Sequence, residues 1–250
     1  MLARLKTLVL GALALGLAQL AAASDTPHWV HYRLLDGSAA LPKRVVVLPV
    51  SVKVFEMTAG GVEEEVPEWT REASRNVLKA LSARLPKVEG GGMQEVALPR
   101  LAPSEAAAID EHLALYRLVV LTAQSTPFAH KVRRFDFGVG SGLAPILQKT
   151  GADAALMVVG RDYASTAGRK TKAVLGKIPV VNILSGDAEL GESYVHVGLV
   201  DLRTGDLLWM NSDKRGIATN LRDEKDAQAM IDAIFGWYPG IDKYRVAYSK

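Results

Sequence analysis

The chain alternates between two kinds of apolar pattern. From Arg44 to Val52 it runs Arg-Val-Val-Val-Leu-Pro-Val-Ser-Val after Pro42-Lys43, and this nearly unbroken β-branched run predicts a strand buried on both faces. Pro49 has no N–H to give a ladder, so it predicts an edge position or a bulge. After Gly60-Gly61 and an acidic Glu63 to Glu65, the segment from Pro67 to Leu85 carries Trp69, Ala73, Val77, Leu81 and Leu85 four apart, one stripe of an amphipathic helix. Pro86 and Gly90-Gly91-Gly92 close it.

A second helix is predicted from Pro103-Ser104-Glu105 through Ile109, Leu113, Tyr116 and Val120, with Ser104 as its N-cap. Residues 125 to 142 read as a loop feeding a short helix from Leu143 to Thr150, and Gly151-Ala152-Asp153 leads into a second buried strand, Ala154 to Gly160. Tyr194 to Leu202 and Leu207 to Asn211 predict two strands joined by Arg203-Thr204-Gly205-Asp206, a hairpin connection with glycine where positive φ is needed. A last helix is expected from about Asp223 to Phe235, stopped by Gly236. Strands and helices alternate, so the predicted class is α/β: a mixed sheet with helices packed on it, in one layered domain over residues 44–250.

The ends and one interior stretch depart from this pattern. Arg4 and Lys6 precede an apolar run from Leu8 to Leu20 that ends in Ala21-Ala22-Ala23. That is the order of a secretory signal peptide, with cleavage expected after Ala23; an uncleaved single-span anchor is the alternative, since a helix starting at Leu2 could just reach across a bilayer. Residues 24–43, with Pro27, Gly37 and Pro42, read as an irregular arm. Between two predicted core strands lies an insertion at about 161–190, too long for a tight hairpin. In it the cations Arg169, Lys170, Lys172 and Lys177 adjoin the apolar Ile178, Val180 and Ile183. Cations beside an apolar run suit a partner-docking or membrane-facing surface, and an ordinary pair of elements completing the sheet is the alternative.

Composition narrows the function classes. Removing 23 of 250 residues leaves 227, and loss of Arg4 and Lys6 takes the net charge from +3 to +1. A near-neutral mature chain is not built for nucleic acid. With no cysteine, an exported form has no disulfide, no thiol chemistry and no lipidated N-terminal Cys, so packing must hold the fold and any membrane contact must come from elsewhere.

The chemical motifs do not assemble. In Gly138-Val139-Gly140-Ser141-Gly142-Leu143, Leu143 stands where a dinucleotide fingerprint needs glycine, and Arg133-Arg134 stand where a buried strand should precede. Val139 occupies the place of the first glycine of a nucleophile elbow around Ser141. The stretch therefore reads as a flexible loop, with anion binding as the alternative. His28, His31, His112, His130 and His196 are scattered and read as surface or sheet-face residues rather than metal ligands. Glu63 to Glu65 reads as a solvated loop. No cofactor is expected.

Three segments together carry a resemblance: Val45-Val46-Val47-Leu48-Pro49, then Gly151-Ala152-Asp153 with the strand to Gly160, then Gly198 to Trp209 with Asp201, Thr204, Gly205 and Trp209. The set resembles the CsgG-like curli secretion lipoproteins, the penicillin-binding-protein activator lipoproteins and the TolB amino-terminal domain, over about residues 44 to 235. Independently of that, Thr204-Gly205 suits a turn, Asp201 can accept from turn amides and Trp209 can cover the sheet, which makes these four structural. The resemblance implies a periplasmic or secreted, non-enzymatic accessory or scaffold of the cell envelope, binding envelope proteins and compatible with a homo-oligomer. Two alternatives stand beside it: an oligomeric outer-membrane secretion component, and a secreted hydrolase with a dispersed site built from His196, Asp201 and Asp162.

Overall fold

A computed structural model describes residues 29–57, 62–88, 91–124, 135–165, 192–216, 218–236 and 238–239. The signal segment, His28, His130, Gly60-Gly61 and the docking candidates Arg169, Lys170, Lys172, Lys177, Ile178, Val180 and Ile183 lie outside the described residues.

The described residues form a mixed sheet of eight strands with five helices on it, an α/β fold. The strands are β1 (Trp29–Val30), β2 (Arg44–Val47), β3 (Ser51–Met57), β4 (Glu63–Glu65), β5 (Gln94–Val96), β6 (Ala154–Ser165), β7 (Ser193–Asp201) and β8 (Leu207–Arg215). The helices are α1 (Tyr32–Leu35), α2 (Pro67–Arg84), α3 (Pro103–Gln124), α4 (Ala144–Thr150) and α5 (Glu224–Phe235). The main order is β1-β8-β7-β6-β2-β5, with β3 beside β6 and β4 beside β3. Pairs β2–β5, β2–β6 and β3–β6 are parallel, and the others antiparallel.

The long strand β6 organises both layers. Its Ala154, Leu156 and Val158 face one core, covered by α2 and α5, while Ala155, Met157 and Val159 face the other, covered by α3 and α4. The β-branched run from Arg44 is two strands rather than one, because Pro49 interrupts it. Val47 pairs with Leu156 and Ser51 with Val159, so four steps on one strand oppose three on β6. One extra residue is a bulge. It inverts the alternation: Val45 and Val47 precede it on the same face that Val52 and Val54 occupy after it.

Four further expectations are corrected. The arm is not irregular throughout: Trp29 and Val30 pair with β8, and they are buried in opposite cores. Burial of such side chains, about 1.5–3 kcal/mol each, outweighs what a two-residue ladder can give and holds the edge strand down. Glu63 to Glu65 is a strand whose outer members pair with cations. The insertion's first residues, Arg161 to Ser165, continue β6. Ser104 lies inside α3, and Glu105 instead reaches back to the amide of Ala102 at 2.7 Å.

The glycine-rich stretch is a close crossing and not a free loop. Gly138 bridges to Asp206, Val139 N–H donates to the Gly205 carbonyl at 2.8 Å, and a Cβ on Gly205 would stand 2.1 Å from the Gly140 oxygen. His31 and His112, expected at the surface, are buried. His31 Nδ1 accepts from the Arg33 amide at the start of α1, and His112 Nδ1 donates to the Ala108 carbonyl at 2.7 Å, so each has a use inside.

Candidate functional site

The sequence-derived structural residues gather at one end of β7 and β8. Asp201 Oδ1 accepts from the amides of Arg203 at 2.7 Å and Thr204 at 3.3 Å, and Thr204 Oγ1 accepts from the Asp206 amide. Gly205 has φ +77°, a conformation glycine enters without penalty. Trp209 is fully buried, its ring 5.3 Å from Phe235 and 5.1 Å from Tyr238, which fastens α5 to the sheet.

The residues of a dispersed hydrolase are not brought together. Asp162 pairs with Val54 and shares its face, whereas His196 pairs with Val159 on the other. Asp201 lies five residues along β7 from His196, about 17 Å at about 3.4 Å per residue. Asp162 is committed elsewhere: it is buried, accepts from the Ser193 hydroxyl and accepts from the Leu221 amide at 2.9 Å, locking the approach to α5. Among the described residues, no group of three or more His, Asp or Glu could hold a metal ion.

A cleft of about 310 Å³ opens instead where the second half of α3 meets the sheet. Register builds its floor. Ser51, Val159, His196 and Ser212 stand in one row across β3, β6, β7 and β8, and Lys53, Arg161, Tyr194 and Lys214 form the next. From α3, Arg117, Val120 and Leu121 lean over these rows. The helix comes this close because Gly198 has no side chain: a Cβ there would lie 2.6 Å from the Tyr116 ring, which is buried against it.

Most of the charge around the cleft is already compensated. Lys53 Nζ meets Glu65 at 2.7 Å, Arg161 meets Glu63 at 3.0 Å, and Lys214 pairs with Glu192. The Arg161 guanidinium also sits 4.1 Å above the Phe55 ring, a cation–π contact. Arg117 donates to the Ser51 hydroxyl and has no carboxylate partner among the described residues. His196 stands 5.2 Å from the Tyr194 ring, its Nδ1 is buried without a hydrogen-bond partner, and burial pushes its pKa down from 6.5 to about 4. At neutral pH this ring is uncharged.

At the cleft mouth Leu121 is 67% exposed, and beyond it on α3 Leu118 is 60% exposed, with Leu115 a further turn away. Most other exposed positions of α3 are small or polar, so the three leucines form a distinct stripe. The spacing of Ile109, Leu113, Tyr116 and Val120 predicts the inward stripe and leaves this one out. The signal was present, since leucines three apart beside Ile109, Leu113, Tyr116 and Val120 make the helix apolar on more than one side.

No family model and no curated protein matches this chain. Among solved structures it is similar to the PelC dodecamer from Paraburkholderia phytofirmans, at 14% identity over 78% of this chain and 86% of that one, with a TM-score of 0.31. It is also similar to the lipoprotein GNA1162 from Neisseria meningitidis, at 15% identity over 70% and 81% with a TM-score of 0.30. The LpoB C-terminal domain from Salmonella enterica is similar at 11% identity over 74% and 91%, with a TM-score of 0.28. At these values the likeness is a distant one of chain path and assigns no function.

Proposed function

We propose that this chain is an exported accessory protein of the bacterial cell envelope that works by contact with another protein, and that the outer face of α3 is where that contact is made. The observation that carries the reading is the exposed stripe Leu115, Leu118 and Leu121. Single exposed leucines are ordinary, but three aligned on one helix beside a cleft are the form of an interaction site. The basic start and apolar run before Ala21-Ala22-Ala23 support export.

The test uses the full chain expressed in a bacterium with a photo-crosslinking residue at Leu118, and as control at Leu78, which is exposed on α2 across the sheet. The expected outcome is a periplasmic protein beginning at Ser24, with one defined crosslinked product from position 118 and none from 78. Protein retained in the cytoplasm with Met1 in place, or the same products from both positions, would refute the reading.

A further inference from the structure

We propose that the cleft between α3 and the sheet is a binding site for a carboxylate carried on a short apolar body, with Arg117 holding the carboxylate. This goes beyond the protein contact at α3 and rests on other residues, Arg117 and the sheet rows beneath it, sharing only Leu121 with that contact.

Charge sets the head group. Lys53 and Arg161 each spend their charge on a glutamate of β4. Arg117 lines the same cleft, and among the described residues its guanidinium donates to a neutral hydroxyl, that of Ser51. A guanidinium carries five N–H donors in a planar fork suited to a carboxylate. One uncompensated cation asks for one negative charge, which favours a monoanionic carboxylate over a phosphate dianion.

The remaining polar groups are donors too. His196 lines the cleft with Nδ1 shut off from any partner. The proton of its neutral ring is therefore better placed on Nε2, where a hydrogen bond can form. Tyr194 and Lys53 line the same cleft, and each side chain carries a hydrogen-bond donor.

The apolar body follows from the rest of the lining. Val120, Leu121 and Val159 are aliphatic, and Phe55 adds a ring held under Arg161. A volume of about 310 Å³ is near the lower bound for small-molecule sites, about 300–1,000 Å³. It suits one short acyl chain, or one apolar residue at the C-terminus of a peptide. Both present the same chemistry, and their sources are separated by experiment.

Isothermal titration of the mature protein would use octanoate and the tripeptide acetyl-Gly-Leu-Leu, with octan-1-ol and the tripeptide amide as uncharged counterparts. At least one acid is expected to bind tenfold or more tightly than its neutral counterpart. Octanoate alone would identify a free acyl acid, and the tripeptide alone a chain terminus. Arg117→Gln should reduce binding at least tenfold. Leu121→Trp, at an exposed position on the rim, should obstruct the mouth without touching the core, so it tests the site even if the Arg117 variant folds poorly. Equal binding of acids and neutral counterparts, or undiminished binding by both variants, would overturn the proposal. Neither result bears on the crosslink from position 118, so the two readings fail separately.

Discussion

At the scale of single residues, His196 has the environment with the clearest consequence. Desolvation holds its imidazole near 4 against an ordinary 6.5. Above pH 6.5 the ring is neutral in both folded and unfolded chains and contributes nothing to pH dependence. Between 6.5 and 4 the unfolded chain takes up the proton and the native one does not, so stability falls with pH and levels off below 4. The full loss attributable to this residue is about 3 kcal/mol, most of it already incurred by pH 4.5. His31, also held down by burial, titrates in wild type and variant alike and cancels in a comparison. Urea unfolding at pH 7 and pH 4.5 should therefore show His196→Gln gaining about 2 kcal/mol on the wild type as the pH drops. Parallel pH profiles for the two proteins would contradict the assignment.

At the scale of elements, the β7–β8 hairpin depends on a crossing that the local sequence only half discloses. Gly205 needs positive φ, which the turn chemistry of Thr204-Gly205-Asp206 announces. It also lies against Gly140, 65 residues earlier in the chain, which local sequence chemistry does not reveal. Gly37 separates these effects: it has φ +81°, with nothing within 4 Å of where a Cβ would stand. Gly37→Ala should cost only the backbone strain, about 1 kcal/mol. Gly205→Ala must also push Gly140 aside, and a loss of about 2–3 kcal/mol is expected. Equal shifts in the urea midpoints of the two variants would show that the crossing adds nothing. The same division explains what was legible elsewhere. Helix α2 announced itself by apolar residues four apart, and α5 by its stop at Gly236, whose N–H donates to the Ala233 carbonyl. Strands β1, β4 and β5 have only two or three residues each, too few for a period to register, and partners chosen by the fold make them. The cleft was illegible for a related reason. Lys53, Arg161 and Tyr194 are neighbours only through strand register, and Arg117 reaches them because Gly198 admits Tyr116.

At the scale of the whole molecule, the two cores share one sheet. Strand β6 sends alternate side chains into each, and β2, with Val45 and Val47 on one side and Val46 on the other, does the same. Removing the helices of one face would leave the same strands half exposed, so neither core can melt and leave the other intact. The described part of the chain should therefore unfold as a single cooperative unit. The prediction is sharpest when each core is weakened separately. Ile109→Ala opens a cavity under α3, and Ile231→Ala opens one under α5, on opposite faces of the sheet. Each should cost about 2–5 kcal/mol. In urea, each should move the far-ultraviolet circular dichroism and the tryptophan fluorescence transitions together, because Trp209 in the α5-side core and Trp29 in the α3-side core rest on strands of the same ladder. Two resolved transitions in either variant, with dichroism and fluorescence parting, would mean that the helical layers are separable and that β6 does not couple them.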